Sequence, residues 1–287
     1  MVPFNFSSQL PALVYLYRTP AGTKSCELGT PVRKCGCPTL VALFATGWGI
    51  RGGPGSRAVF RELTSGSSAK ITLEPMVQSP IGADATLHGQ HVRLEPLDHR
   101  HVDGLSEAAG DDAELYKWSP VPQGKAEAIQ YVETAMSWRD AKTAVPFAIV
   151  RASDALVIGS TRFFNLEYWA WPPAHPSYGR KRPDACEIGY TWLTRPALRT
   201  AANTESKFLM LQHAFETWRV LRVCLHTDVR NERSRAAIER IGGMFEGILR
   251  AHRMAADFIP RDSARYSIIA AEWTEVKQRL LQYLERA

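Results

Sequence analysis

Cysteine is scarce, with five in 287 residues. The count is odd, no C-x-x-C occurs, and no histidines are spaced as metal ligands. That excludes a disulfide framework or a zinc site as the organising device and fits a reducing, cytoplasmic compartment. Long apolar runs are missing too. The longest, 40–44 with its flanks, falls well short of the about 20 residues a membrane helix needs, and it lies too deep for an ordinary secretory leader. There is no internal repeat and no heptad, which sets aside solenoids and coiled coils. A sustained excess of one charge is also absent. The formal net charge is +6, but residues 1–75 alone hold eight basic and three acidic residues. The rest is close to neutral, so neither nucleic acid nor a membrane is an expected partner.

Residues 1–75 do hold nine of the twenty glycines and seven of the eighteen prolines, without a period of 3.6 or 2. They read as a basic, poorly ordered extension, and the following Met76 raises the option that they are upstream sequence. Residues 76–88 read as a linker, and 89–287 as one folded domain. At 45% hydrophobic overall, the chain can bury a full core.

From Gly89 onward, strand-like and helix-like runs alternate. Strands are expected at 91–97, 147–151, 156–164, 187–193, 221–226, 244–249 and 264–269. Helices are expected after an Asp98 cap, over 125–139 with Ile129, Val132 and Met136 on one side, over 204–218, and over 234–241 before Gly242-Gly243. In 204–218 the spacing of Phe208, Leu211, Phe215 and Trp218 buries one face and leaves Glu205, Lys207 and Gln212 outside. A Trp-, Pro- and Tyr-rich insertion, 165–185, reads as a loop or lid. The sum is a mixed α/β domain with helices on the sheet faces.

The turn Leu198, Arg199, Thr200, Ala201, Ala202, Asn203, Thr204 joins a strand end to the amino end of a long helix. Small side chains let a ligand approach the backbone, and free helix N–H groups favour phosphate, with Arg199 adding charge. The plainer reading is an αβ loop with Asn203 or Thr204 as N-cap.

Many residues in register resemble the Gcn5-related N-acetyltransferase superfamily, specifically its ribosomal-protein-alanine (RimJ/RimL-like) branch. They are EIGYTWL from Glu187, Asn203-Thr204-Glu205, HAFE from His213, Arg222-Val223, Asn231 with Ser234, Gly242-Gly243, and Glu246-Gly247 with Arg250. GSTRF from Gly159, RLEPL from Arg93, RDS from Arg261 and Glu272-Trp273 extend the resemblance across most of 89–287. The resemblance implies an acyl-CoA N-acyltransferase fold: a mostly antiparallel sheet, splayed at the cofactor site, with helices on both faces. It also implies that acetyl-CoA is the donor, with no metal. Pantetheine would pair along Tyr190, Thr191, Trp192 and Leu193, and the diphosphate would sit on the 198–204 turn. The superfamily has Gln or Arg and then small residues at that turn. Leu198, Ala201 and Asn203 stand there, and Asn203 is the larger departure.

Transfer to an amine needs a proton acceptor, a stabilised oxyanion and a proton for the thiolate. Glu187 is the candidate base, directly or through water, with a salt bridge as its alternative role. Ser234 is the candidate thiolate donor, and Asn231 a pantetheine or acceptor ligand; both also suit helix caps. Trp118, Tyr168 and Trp169 are candidate acceptor-pocket residues, joined in the insertion by Trp171, Tyr178 and a second candidate base, His175. His213 and His226 read as structural, and Arg180-Lys181-Arg182 as solvated surface. The acceptor is a protein N-terminus or a small-molecule amine, attacked directly because no Cys–His pair is evident. A coenzyme A sensor without catalysis is the alternative, and a homodimer is compatible with the pattern without being required by it.

Overall fold

The computed structural model describes residues 15–19, 22–26, 85–110, 112, 114–255 and 259–286. The chain falls into two units, Met1–Ile71 and Thr72–Ala287. In the first, β1 (Tyr15–Thr19) and β2 (Gly22–Cys26) pair antiparallel. The other expectations for 1–75 lie outside the described residues.

The second unit is built on an eight-stranded sheet among the described residues. Its strands are β3 (Leu87–His88), β4 (Val92–Pro96), β5 (Ala144–Arg151), β6 (Val157–Glu167), β7 (Ala185–Leu193), β8 (Arg222–Asp228), β9 (Met244–Met254) and β10 (Pro260–Ile269). The spatial order is β3-β4-β5-β6-β7-β8-β10-β9. Every neighbour pair is antiparallel except β7 with β8. The mostly antiparallel α/β architecture is therefore as expected, and the sheet begins at Leu87, two residues before Gly89.

Helices cover both faces. On one side α1 (Val102–Ala109) and α2 (Gly124–Asp140) bury Leu105, Ala128, Val132 and Ala135 against Ala148, Val150 and Trp192. Ile129, expected inside, is 38% exposed, because the helix presents its small alanines to the sheet and so packs closely. On the other side α3 (Ala201–Gln212), its π-helical continuation His213–Trp218 and α5 (Trp273–Glu285) cover Phe163, Ile188, Val223, Leu225, Tyr266 and Ile268. The helix α5 was not expected; Trp273, Val276 and Leu280 form its buried stripe.

Two expectations for α3 fail together. It starts at Ala201 under a Thr200 cap, whose Oγ1 accepts from the Ala202 amide at 3.2 Å. That start turns Glu205 and Lys207 inward, to 4% and 6% exposure. Glu205 accepts the amides of Gln90, His91 and Val92 at 2.8, 2.7 and 2.7 Å, clamping the β3–β4 turn. A charged residue on an inward position is stable here because three donors replace its water.

Candidate active site

Strands β7 and β8 pair over only three positions, Ala185 with Arg222, Cys186 with Val223 and Glu187 with Cys224. Beyond Glu187 they separate while β7 runs on to Leu193 and β8 to Asp228. Within that split β7 is bulged. Pairing with β6 jumps from Gly189 opposite Arg162 to Trp192 opposite Ser160. Tyr190 takes φ +52°, a left-handed conformation that non-glycine residues rarely hold. At the bulge Tyr190 and Thr191 drop out of the register with β6, neither having a partner residue there. Gly159 fits beneath it because a Cβ there would stand 2.1 Å from the Trp192 carbonyl oxygen.

At the closed end of the split, Glu187 is 5% exposed. Asn165 Nδ2 donates to its Oε2 at 2.9 Å, and Arg253 Nη2 lies 3.4 Å from the same oxygen. His226 Nδ1 stands 2.7 Å from Oε1, off the direction of a hydrogen bond, and the two buried ring nitrogens have no hydrogen-bond partner among the described residues. The His252 ring stacks obliquely 5.0 Å away. A cavity of about 130 Å³ opens onto Asn165, Glu187, Cys224, His226 and His252. Carboxylate and imidazole therefore face the same space, an arrangement suited to receiving and passing on a proton. Reading His226 as structural missed this. The available signal was its parity: Cys224, His226 and Asp228 alternate with Val223, Leu225 and Thr227, so His226 points away from the apolar core.

The turn before α3 holds Arg199 at φ +61°, with Arg199 and Thr200 exposed and Leu198 and Asn203 half-buried. The side chains of Ala201, Ala202 and Thr204 are buried, so these residues offer only backbone to a ligand. Arg240 donates to Thr204 Oγ1 at 3.0 Å. First-turn amides of a helix have no intrahelical acceptor, and of these Ala202 alone is met by the Thr200 cap. A cavity of about 210 Å³ lies against Thr200, Ala201 and Ala202. In the splayed strand, Trp192 and Leu193 are both 5% exposed, and the Leu193 carbonyl accepts from Tyr116 Oη at 3.1 Å.

Asn231 caps α4 (Glu232–Arg240), its Oδ1 accepting from the Ser234 amide at 3.0 Å. Ser234 is half-buried in that first turn. Trp118 packs under the Arg230 guanidinium, 4.3 Å from its ring centre. Tyr168 and Trp169 are 44% and 42% exposed at the end of β6. The insertion is ordered around Asp184, which accepts from the Trp169 amide and the Trp171 indole at 2.8 and 2.9 Å. His175 stacks on Trp171 at 4.0 Å, outside the Glu187 cavity. Arg180 and Arg182 donate to the carbonyls of Thr217, Trp218 and Arg219, capping the π-helix. His213, between Phe163 and Trp218, is pushed by burial down to about 4 and stays neutral.

Beneath the bulge, α3 inserts Lys207. Its Nζ donates to Thr191 Oγ1 and, at 3.4 Å, to Thr161 Oγ1. Burial lowers its pKa to about 7.

A sheet whose one parallel pair among the described residues parts, with a bulge and a buried carboxylate in the gap, is the arrangement that the family resemblance implies for an acyl-CoA-dependent acyltransferase. The comparisons agree. Residues 91–244 match the family model described as "Acetyltransferase (GNAT) domain". The chain is 26% identical over 189 residues to a putative ribosomal N-acetyltransferase, YdaF, of Bacillus subtilis, covering 64% of this chain and 94% of that protein. A GCN5-related N-acetyltransferase from Brucella melitensis has 28% identity and TM-score 0.59, over 70% of this chain and 85% of its own. A putative acetyltransferase from T. thermophilus has 33% identity and TM-score 0.56, over 69% and 96%. The chain belongs to the GNAT acetyltransferase family and is an N-acetyltransferase. Among the described residues, no helix is long and apolar enough to cross a membrane.

Proposed function

We propose that the protein moves an acetyl group from acetyl-CoA to a primary amine by direct attack, with Glu187 as proton acceptor. The observation that carries this reading is the parting of β7 from β8 immediately after Glu187, with the Tyr190 bulge in the gap. A long thioester bearing a diphosphate fits such a gap, with its phosphates at the amides around Arg199 to Asn203. Bound there, it would supply an activated carbonyl. The chain's own groups do the rest. Amides freed by the bulge stabilise negative charge developing on the carbonyl oxygen. Glu187 takes the amine proton directly or through water, and His226 stands 2.7 Å behind it as a second acceptor. Ser234, in the first turn of α4, donates a hydrogen bond to the departing sulfur, and the thiolate takes its proton from water, to which Glu187 returns the one it accepted.

Direct attack is favoured over an acyl-cysteine route by the state of Cys186. Its thiol is raised well above its usual value by burial, which keeps it protonated and a poor nucleophile. The acceptor is a protein N-terminus or a small amine. Calorimetry with acetyl-CoA, followed by thiol release across an amine panel, tests the whole reading. Folded protein that takes up no acetyl-CoA refutes it.

A further inference from the structure

We infer that the acceptor carries a carboxylate close to its amine, held by an arginine-lined subsite beside Glu187, on the sheet face opposite α3 and α5. This rests on the acetyl-transfer reading above and adds the class of acceptor to it.

Ten buried side-chain nitrogen or oxygen atoms have no hydrogen-bond partner among the described residues, and eight of them belong to Arg162, His226, His252, Arg261, Ser263 and Arg265. Native interiors leave few such atoms, so their concentration calls for a ligand. Register puts several of them on one face. Arg265 pairs with His226, and Ser263 with Asp228, opposite to the face that α3 and α5 cover. Four of the eight atoms are arginine nitrogens, which only donate; Nε of Arg265 lies 3.3 Å from a Glu246 carboxylate oxygen, which leaves Nε and Nη2 of Arg162 and Nε of Arg261. A ligand that satisfies them must bring acceptors.

Charge points the same way. Arg162 is 2% exposed, and its guanidinium lies among the rings of Tyr131, Trp138 and Tyr190 at 4.9, 5.1 and 4.3 Å from their centres. Aromatic faces partly offset a buried cation, but they leave its N–H groups unanswered. Arg253 and Arg261 stand directly opposite each other across β9 and β10. Such a like-charge pair is unfavourable in an empty sheet. Arg253 meets Glu187 and rests on Phe164, 5.2 Å from the ring centre; Phe164 in turn meets Tyr190 at 5.1 Å. The arginines thus flank the bulge and the candidate base together. A carboxylate in this subsite would place the amine beside Glu187. Planar, forked donors are also the group that recognises a carboxylate.

The test compares matched acceptors on the full chain with acetyl-CoA. Ala-Asp-amide is set against Ala-Asn-amide for a peptide source, and γ-aminobutyrate against its amide for a small-molecule source. We expect kcat/KM about tenfold or more higher for the acid in at least one pair, and a ratio below about threefold in Arg261→Gln. Whichever pair responds identifies the source. Titration with glutarate, which has no amine to acetylate, reads the subsite without turnover. Uptake weakened about tenfold by Arg261→Gln supports the inference. Ratios near one in both pairs, in protein that acetylates all four compounds, overturn it and leave acetyl transfer standing. No uptake of acetyl-CoA overturns the transfer reading instead.

Discussion

Lys207 is buried against Thr161 and Thr191 and forms no salt bridge among the described residues, and this makes a quantitative prediction about pH. Its pKa falls from 10.5 to about 7 through burial. The shift is downward, so the unfolded chain binds a proton that the native protein lacks between those values, and stability rises with pH across that window. Below about pH 7 the native lysine is also protonated and the full penalty applies; above about 10.5 it vanishes. With these two values, linkage gives about 4 kcal/mol of lost stability at pH 7.5 and about 1 kcal/mol at pH 9.5. Lys207→Met keeps the stem's packing and removes the titration. Urea melts of both proteins at the two pH values isolate the residue, because every other titrating group cancels in the difference. We expect the stability gap between them to shrink by about 2–3 kcal/mol from pH 7.5 to 9.5, at unchanged m. Parallel pH profiles, within about 0.5 kcal/mol, would refute the claim that the amine is buried and unpaired by a carboxylate.

Glu187→Gln keeps the side chain's shape and one acceptor oxygen; kcat in thiol release should drop about 100-fold or more with the urea midpoint little changed, and a loss under threefold removes Glu187 as base. Glu205→Ala leaves the Gln90, His91 and Val92 amides without their carboxylate and should cost about 3–4 kcal/mol in urea unfolding; a cost under about 1 kcal/mol would show the clamp to be dispensable. Gly159→Ala forces a Cβ against the Trp192 carbonyl and should cost about 2–3 kcal/mol, with acetyl-CoA affinity falling as the bulge shifts. Finally, we propose that the working domain lies within 76–287, so a chain starting at Met76 should be soluble and match the full chain in acetyl-CoA uptake. An insoluble product would place the front segment in the folded enzyme.

The strand over 187–193, the turn after it and the Asn231 cap were legible because each leaves a local mark, EIGYTWL, small residues at Ala201-Ala202, and Asn231 three residues before Ser234; the splay of the strand followed from the family resemblance. What escaped depends on contacts distant in sequence. Glu205 and Lys207 look like an exposed helix edge, and only the β3–β4 turn and the two threonines, Thr161 and Thr191, make their inward positions tenable. The N-cap is ambiguous in the sequence because Thr200, Asn203 and Thr204 are all good caps by type; the structure selects Thr200, which also lets Ala201 and Ala202 pack inward. The α5 stripe was readable from Trp273, Val276 and Leu280 but was masked by the strand pattern before it. His226 carried its signal in strand parity, weak in a seven-residue segment.

Strand parity also accounts for why the chemistry sits where it does. On β8 and β10 one set of side chains, Val223, Leu225, Tyr266 and Ile268, lies in the core under α3 and α5. The alternate set, Cys224, His226, Arg265 and Ser267, faces the opposite side, where α1 and α2 pack against Ala148, Val150 and Trp192 rather than against β8 or β10. Among the described residues, helices pack on both sides of the sheet up to β7 and on one side beyond it, and the far strands carry polar side chains on their second face. Part of that polar face is met within the protein, by Arg230 on Asp228 and by Glu246 on Ser267 and Arg265, while the buried donors of Arg162 and Arg261 have no hydrogen-bond partner among the described residues. β7 and β8 stop pairing after Glu187, shortly before the Tyr190 bulge in β7. In the proposed reaction the donor would enter through the gap in the ladder and the acceptor from the polar face, and the two would meet at Glu187.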